Sequence, residues 1–118
     1  MTIDDIQKHE EALRAEREKL LHQLEEIGAT PDGSLRRDVE YGEGFADAAA
    51  TTTERTEVLG LADSLSRMLE EIDIALARIE EGTYGTCRNC GNEISAARLE
   101  FRPESTLCVD CKSRAATG

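Results

Sequence analysis

Four cysteines constrain this chain more than any other feature, because all of them fall in two close pairs, Cys87-x-x-Cys90 and Cys108-x-x-Cys111, with seventeen residues between the pairs. Two residues between ligands let a tight turn aim both sulfurs at a common centre, so two such pairs can close a tetrahedral shell on one zinc ion. Gly91, directly after the first pair, supports this reading. A residue leaving such a knuckle often needs positive φ, which glycine tolerates, and neighbouring amides then reach the thiolate sulfurs. The same cysteines also admit a redox dithiol or a disulfide framework, and both fit less well. A redox Cys-x-x-Cys opens a helix in a βαβ setting, and no apolar, β-branched run precedes Cys87. Disulfides suit exported proteins, and the start TIDDIQKHEEALRAEREKLL has no apolar core of signal-peptide type. Zinc held by Cys87, Cys90, Cys108 and Cys111 is expected to be structural, since four sulfurs leave no open position for water.

The remainder of the chain offers little for a broad core. Of its 118 residues 39% are hydrophobic, only 3% are aromatic and 33% are charged, which favours narrow helical packing beside a metal-stapled module. No run approaches the length of a membrane span, so a cytoplasmic protein without membrane contact is expected. The net charge is −11. Residues 87–118 carry five basic and four acidic side chains, a sum of +1, so residues 1–86 hold −12. Neither part has the basic footprint that duplex nucleic acid requires, and sequence-specific nucleic-acid binding is not expected. A protein partner with a basic surface or channel is the more natural target; the plainer account of the acid is a solvated helical surface.

Two long helices are legible. From Ile3 to about Ile27 there is neither proline nor glycine, and Ile6, Leu13, Leu20 and Ile27 recur every seven residues, with Leu24 in a second row. Thr2 is the expected N-cap, Gly28 the stop, and Thr30-Pro31-Asp32-Gly33 a turn. A second helix spans about Thr52 to Glu81, with Val58, Leu65, Ile72 and Ile79 in one row and Leu61, Met68 and Ala75 in the other. Each is roughly 40 Å long at 1.5 Å per residue. The expected fold is mainly α: an antiparallel coiled-coil hairpin over residues 1–82, with a tip segment at about 28–51, joined to a four-cysteine module over 83–118. Within the module, Ile94 and Leu99 to Phe101 are expected in short strands or a turn, and Val109 to Ala115 in a short helix. Tyr84, Ile94, Leu99, Phe101 and Leu107 are its expected core.

The run Gly82-Thr83-Tyr84-Gly85-x-Cys87-x-x-Cys90-Gly91-x-x-Ile94-x-x-x-Arg98-Leu99, continuing through Pro103 to Cys108-x-x-Cys111-Lys112, closely resembles the DksA/TraR zinc-finger family of bacterial transcription factors. That resemblance implies the same hairpin-plus-zinc architecture and a protein that binds RNA polymerase, its hairpin entering the secondary channel toward the active centre; a monomer is expected because each helix has an intramolecular partner always available. The resemblance also implies a functional tip at Ala46, Asp47 and Ala49, where Ala46-Asp47-Ala48-Ala49 matches the family's Asp-x-Ala element. Gly44 stands where the family's first tip aspartate is found, and Glu43 lies beside it. From the residues alone, Asp47 reads first as a helix-terminal or surface carboxylate, and only the resemblance shifts it toward a functional tip. The competing function is a zinc-stapled coiled-coil adaptor, or a self-associating protein, with no action on polymerase. No nucleophile, base and orienting group stand at recognisable spacing, so no enzymatic activity is expected.

Overall fold

In the computed structural model, residues 2–35 and 48–117 are described. They form four helices: α1 (Ile3–Glu26), α2 (Ala48–Glu81), α3 (Ala96–Phe101) and α4 (Val109–Thr117). Among the described residues there is no strand, only the isolated bridges Ala29↔Leu35 and Thr86↔Glu93. The chain divides into two compact units, one made of Met1–Arg17 with Glu71–Gly118 and the other of Glu18–Glu70.

Thr2 caps α1 as expected. Its hydroxyl accepts the Asp5 amide at 3.1 Å while the Asp5 carboxylate accepts the Thr2 amide at 3.3 Å, a reciprocal pairing that satisfies two otherwise orphaned donors. Both long helices end in one geometry, set by a glycine in the left-handed region. At α1 the Gly28 amide donates to Glu25 and the Ala29 amide to Leu24; at α2 the Gly82 amide donates to Ile79 and the Thr83 amide to Arg78. With φ of 77° and 79°, Gly28 and Gly82 adopt the conformation this double closure requires.

The apolar stripe of α1 is buried at Leu13, Leu20 and Leu24 and half-buried at Ile6 and Ile27. In the first unit, α1 lies against α2 in antiparallel sense: the His9 ring stands 6.0 Å from that of Tyr84, and Arg17 Nε donates to Asp73 Oδ1 at 2.7 Å. Both members of that ion pair are substantially exposed, so it orients the helices more than it stabilises them.

The structure differs from expectation in four places. α2 begins at Ala48, four residues before Thr52, because the alanines before it are strong helix formers. Its buried seam is Ala62, Leu65, Leu69, Ile72 and Ala75, while Leu61 and Met68 are exposed at 49% and 46%; the helix has turned its Ala62/Leu69 flank inward. Ala29 and Leu35, placed by expectation in the tip segment, are both core residues. Finally, Leu99–Phe101 is helical: the Ser95 hydroxyl accepts the Arg98 amide at 3.2 Å and so caps α3. Phe101 consequently lies outside the core, 84% exposed.

Candidate metal centre

The sulfurs of Cys87, Cys90, Cys108 and Cys111 all lie within 4.8 Å of one another, and none is in a disulfide. Cys90 Sγ and Cys108 Sγ are 3.7 Å apart. A tetrahedral site with metal–sulfur bonds of about 2.3 Å puts its sulfurs about 3.8 Å apart, so the described geometry fits a four-thiolate zinc ion. Cys87 and Cys111 are buried, Cys108 half-buried and Cys90 exposed.

Backbone hydrogen bonds build the first knuckle. The Cys87 amide donates to Asn92 O at 2.8 Å, the Gly91 amide to Cys87 O at 3.0 Å and the Ile94 amide to Gly85 O at 2.8 Å. Gly91, with φ of 78°, makes the left-handed turn expected of it. The second knuckle is joined to the first by the Arg88 amide, which donates to Thr106 O at 2.9 Å. The Lys112 amide donates to Cys108 O at 2.9 Å, so Cys111 sits in the opening turn of α4.

Electrostatics within the cluster are uneven. Backbone amides of Cys90, then Cys108 and Asn89, donate to the Cys87 sulfur and lower its pKa to about 5. At Cys111 the largest single influence, the Asn89 side chain donating to sulfur at 3.3 Å, lowers the pKa. Crowding by Cys108, burial, and the Cys87 and Cys90 sulfurs outweigh it and raise this thiol to about 11. Thiolates held this close need a cation among them, which a divalent metal supplies.

Beneath the site, Tyr84, Ile94 and Leu99 are buried and Leu107 is half-buried, as expected of four of the five named core residues. The Tyr84 hydroxyl donates to Pro103 O at 2.7 Å, and burial, with Glu104 nearby, pushes its pKa up to about 12. Two contributors had no motif to announce them. Asn89 stands between the two cysteines of the first pair, at a position the spacing leaves unspecified. Arg78 Nη2 donates to Thr86 O at 2.8 Å and Thr83 O at 3.3 Å, tying the end of α2 to the first knuckle. The basic side chains Arg88, Arg98, Arg102 and Lys112, scattered in sequence, line one cleft of about 90 Å³ together with Glu71 and Glu104. Of the expected tip, Ala46 and Asp47 lie outside the described residues; Ala49 falls within α2.

Residues 82–115 match the family model described as the prokaryotic dksA/traR C4-type zinc finger. Over 105 residues the chain is 35% identical to the RNA polymerase-binding transcription factor DksA of Caulobacter vibrioides, covering 89% of this chain and 66% of that protein. It is 38% identical over 69 residues to the protein so described in Escherichia coli K12, covering 58% of this chain and 46% of the relative. The chain thus spans just under two thirds of the Caulobacter relative's length and less than half of the Escherichia coli one's. Among solved structures, transcription factor DksA2 from Pseudomonas aeruginosa superposes with a TM-score of 0.76 at 30% identity, covering 99% of this chain and 87% of that one. A DnaK suppressor protein from Agrobacterium tumefaciens gives 0.62 at 30% identity, with 92% of each chain covered.

Proposed function

This chain belongs to the DksA/TraR family, and from that premise we propose that it regulates transcription by binding RNA polymerase, its helical hairpin entering the secondary channel. The observation that carries the reading is the four-sulfur cluster of residues 87–111 on a pair of antiparallel helices, an architecture shared over nearly the whole chain with a solved transcription factor. In this reading residues 1–82 are the inserted hairpin and 83–118 its base. Cys87, Cys90, Cys108 and Cys111 hold one zinc ion, whose contribution is to fold that base. The acting residues are Ala46, Asp47 and Ala49, with the Asp47 carboxylate directed at the active centre. A net charge of −11 suits a protein channel with basic walls and not duplex DNA. The protein acts as a cytoplasmic monomer and performs no catalysis of its own.

Pull-down with purified RNA polymerase and transcription in vitro test this directly. The zinc-loaded chain is expected to associate with polymerase and alter transcript yield, and Asp47→Asn to associate normally while losing that effect. No association, or an Asp47→Asn variant that acts like the parent, overturns the proposal. Exposed Leu61 and Met68, one heptad apart on α2, favour a second reading in which the chain self-associates. A concentration-dependent dimer in light scattering, dissociated by Met68→Lys, supports that reading, and a monomer at all concentrations removes it.

A further inference from the structure

We infer that residues Ala29–Leu35 form a clasp braced on α2, and that Ser66 and Gly33 are positioning residues that fix where the chain departs toward the proposed tip. The inference rests on the secondary-channel reading above and deepens it.

Nothing about ending α1 requires this clasp. Gly28 and Ala29 already close the last carbonyls of the helix. Yet the chain makes a second, complete turn. The Thr30 amide donates to Ser34 O at 2.7 Å, the Gly33 amide to Thr30 O at 3.0 Å, and Ala29 bridges Leu35. The Asp32 carboxylate accepts the Ser34 amide at 2.9 Å and the Thr30 hydroxyl, fixing the turn from inside.

The crown of this turn is seated on α2. Ser66 Oγ donates to Pro31 O at 2.9 Å. Gly33 has φ of 88°, and a Cβ there would stand 3.3 Å from Ser66 Cβ and 3.5 Å from Ala62 O. Ala62 is itself wholly buried. One helical turn of α2, from the Ala62 carbonyl to the Ser66 side chain, therefore lies against the turn at a distance that leaves little room for any side chain at position 33. Ala29 and Leu35 are both buried, so the two feet of the loop are anchored as well as its crown. The brace lies fourteen residues in from the start of α2 at Ala48, about 21 Å along the axis at 1.5 Å per residue. The chain thus leaves Leu35 from a fixed point on the helix, and Asp47 immediately precedes that same helix. Tilting or releasing the clasp moves one root of the segment that carries the proposed tip while leaving the other in place.

The test uses the full zinc-loaded chain with Ser66→Ala, Ser66→Thr and Gly33→Val. Polymerase association, the effect on transcript yield at saturating protein, and amide hydrogen exchange at Thr30 and Gly33 are measured together. Ser66→Ala is expected to reduce the saturating effect about three- to tenfold, the scale of one neutral hydrogen bond. Its polymerase association should stay within about twofold, as for a substitution outside the contact surface. Thr30 and Gly33 should exchange faster. Ser66→Thr, which keeps the hydroxyl, should restore both exchange protection and effect, and Gly33→Val should reproduce the loss with the helical circular dichroism retained. If the parent chain associates and acts, and Ser66→Ala and Gly33→Val act equally well, the clasp has no positioning role even though polymerase binding stands. If a variant's loss of effect tracks a loss of association, the clasp is a contact and not a positioning device. If the parent chain does not associate with polymerase, the secondary-channel reading and this inference fall together.

Discussion

Leu99 and Phe101 stand two positions apart in α3 and meet opposite fates, one fully buried and the other 84% exposed. Leu99→Ala is expected to cost about 2–5 kcal/mol, the range for emptying a buried leucine site. Phe101→Ala should stay within about 0.5 kcal/mol, as a surface change does, and urea melts of the zinc-loaded variants compare the two. Both residues were legible as apolar and Leu99 as core, but the exposure of Phe101 was not, because it depends on the local period. In a strand residues i and i+2 share a face, whereas in a helix they are about 200° apart. The Ser95 cap and two alanines decided for the helix, and six residues are too few for periodicity to show it. Tyr84 was legible as core and gives a pH dependence. Its pKa is raised by burial from 10.0 to about 12, so the unfolded chain loses its phenolic proton first. The stabilisation is complete below pH 10 and is lost as pH rises through about 12. Thermal melts across that window should show a fall in the parent chain that Tyr84→Phe lacks, apart from other groups titrating in both.

At the scale of elements, the two long helices and their glycine stops were readable because each signal is local: a cap at Thr2, unbroken apolar spacing, and φ near 78° at Gly28 and Gly82. The facing of α2 was not. Leu65 and Ile72 are flanked by Leu61 and Met68 on one side and by Ala62 and Leu69 on the other, and either pair completes a three-four repeat. Bulk favours the first pair, but the structure buries the second, with Ala62 wholly inaccessible and its carbonyl beside Gly33. Leu69→Ala should therefore destabilise by about 2–5 kcal/mol and Met68→Ala by less than about 0.5 kcal/mol, judged from denaturant midpoints. A larger loss at Met68 than at Leu69 would mean that α2 faces its partner by the flank the heptads alone suggest.

At the scale of the whole molecule, the four-cysteine cluster was the most legible part, because residue type and spacing are covalent facts that folding cannot rearrange. What spacing did not reveal were the groups that support the ligands from elsewhere, Asn89 on Cys111 and Arg78 on Thr86, since hydrogen bonds to sulfur and carbonyl oxygen carry no fixed sequence interval. Removing zinc by chelation, or Cys90→Ser, should unfold residues 83–118 while α1 and α2 keep much of their helicity. The near-ultraviolet signal of Tyr84 should collapse, far-ultraviolet ellipticity fall only in part, and added zinc restore both in the parent chain; unchanged spectra after verified zinc removal would contradict this. The burial of Leu13, Leu20 and Leu24 also has a temporal side. Arg17 of α1 meets Asp73, fifty-six residues later, so a ribosome completes the first apolar stripe long before it makes the helix that covers it. Through that interval the uncovered stripe is flanked by a high density of acidic and basic side chains, a composition that disfavours association between like surfaces.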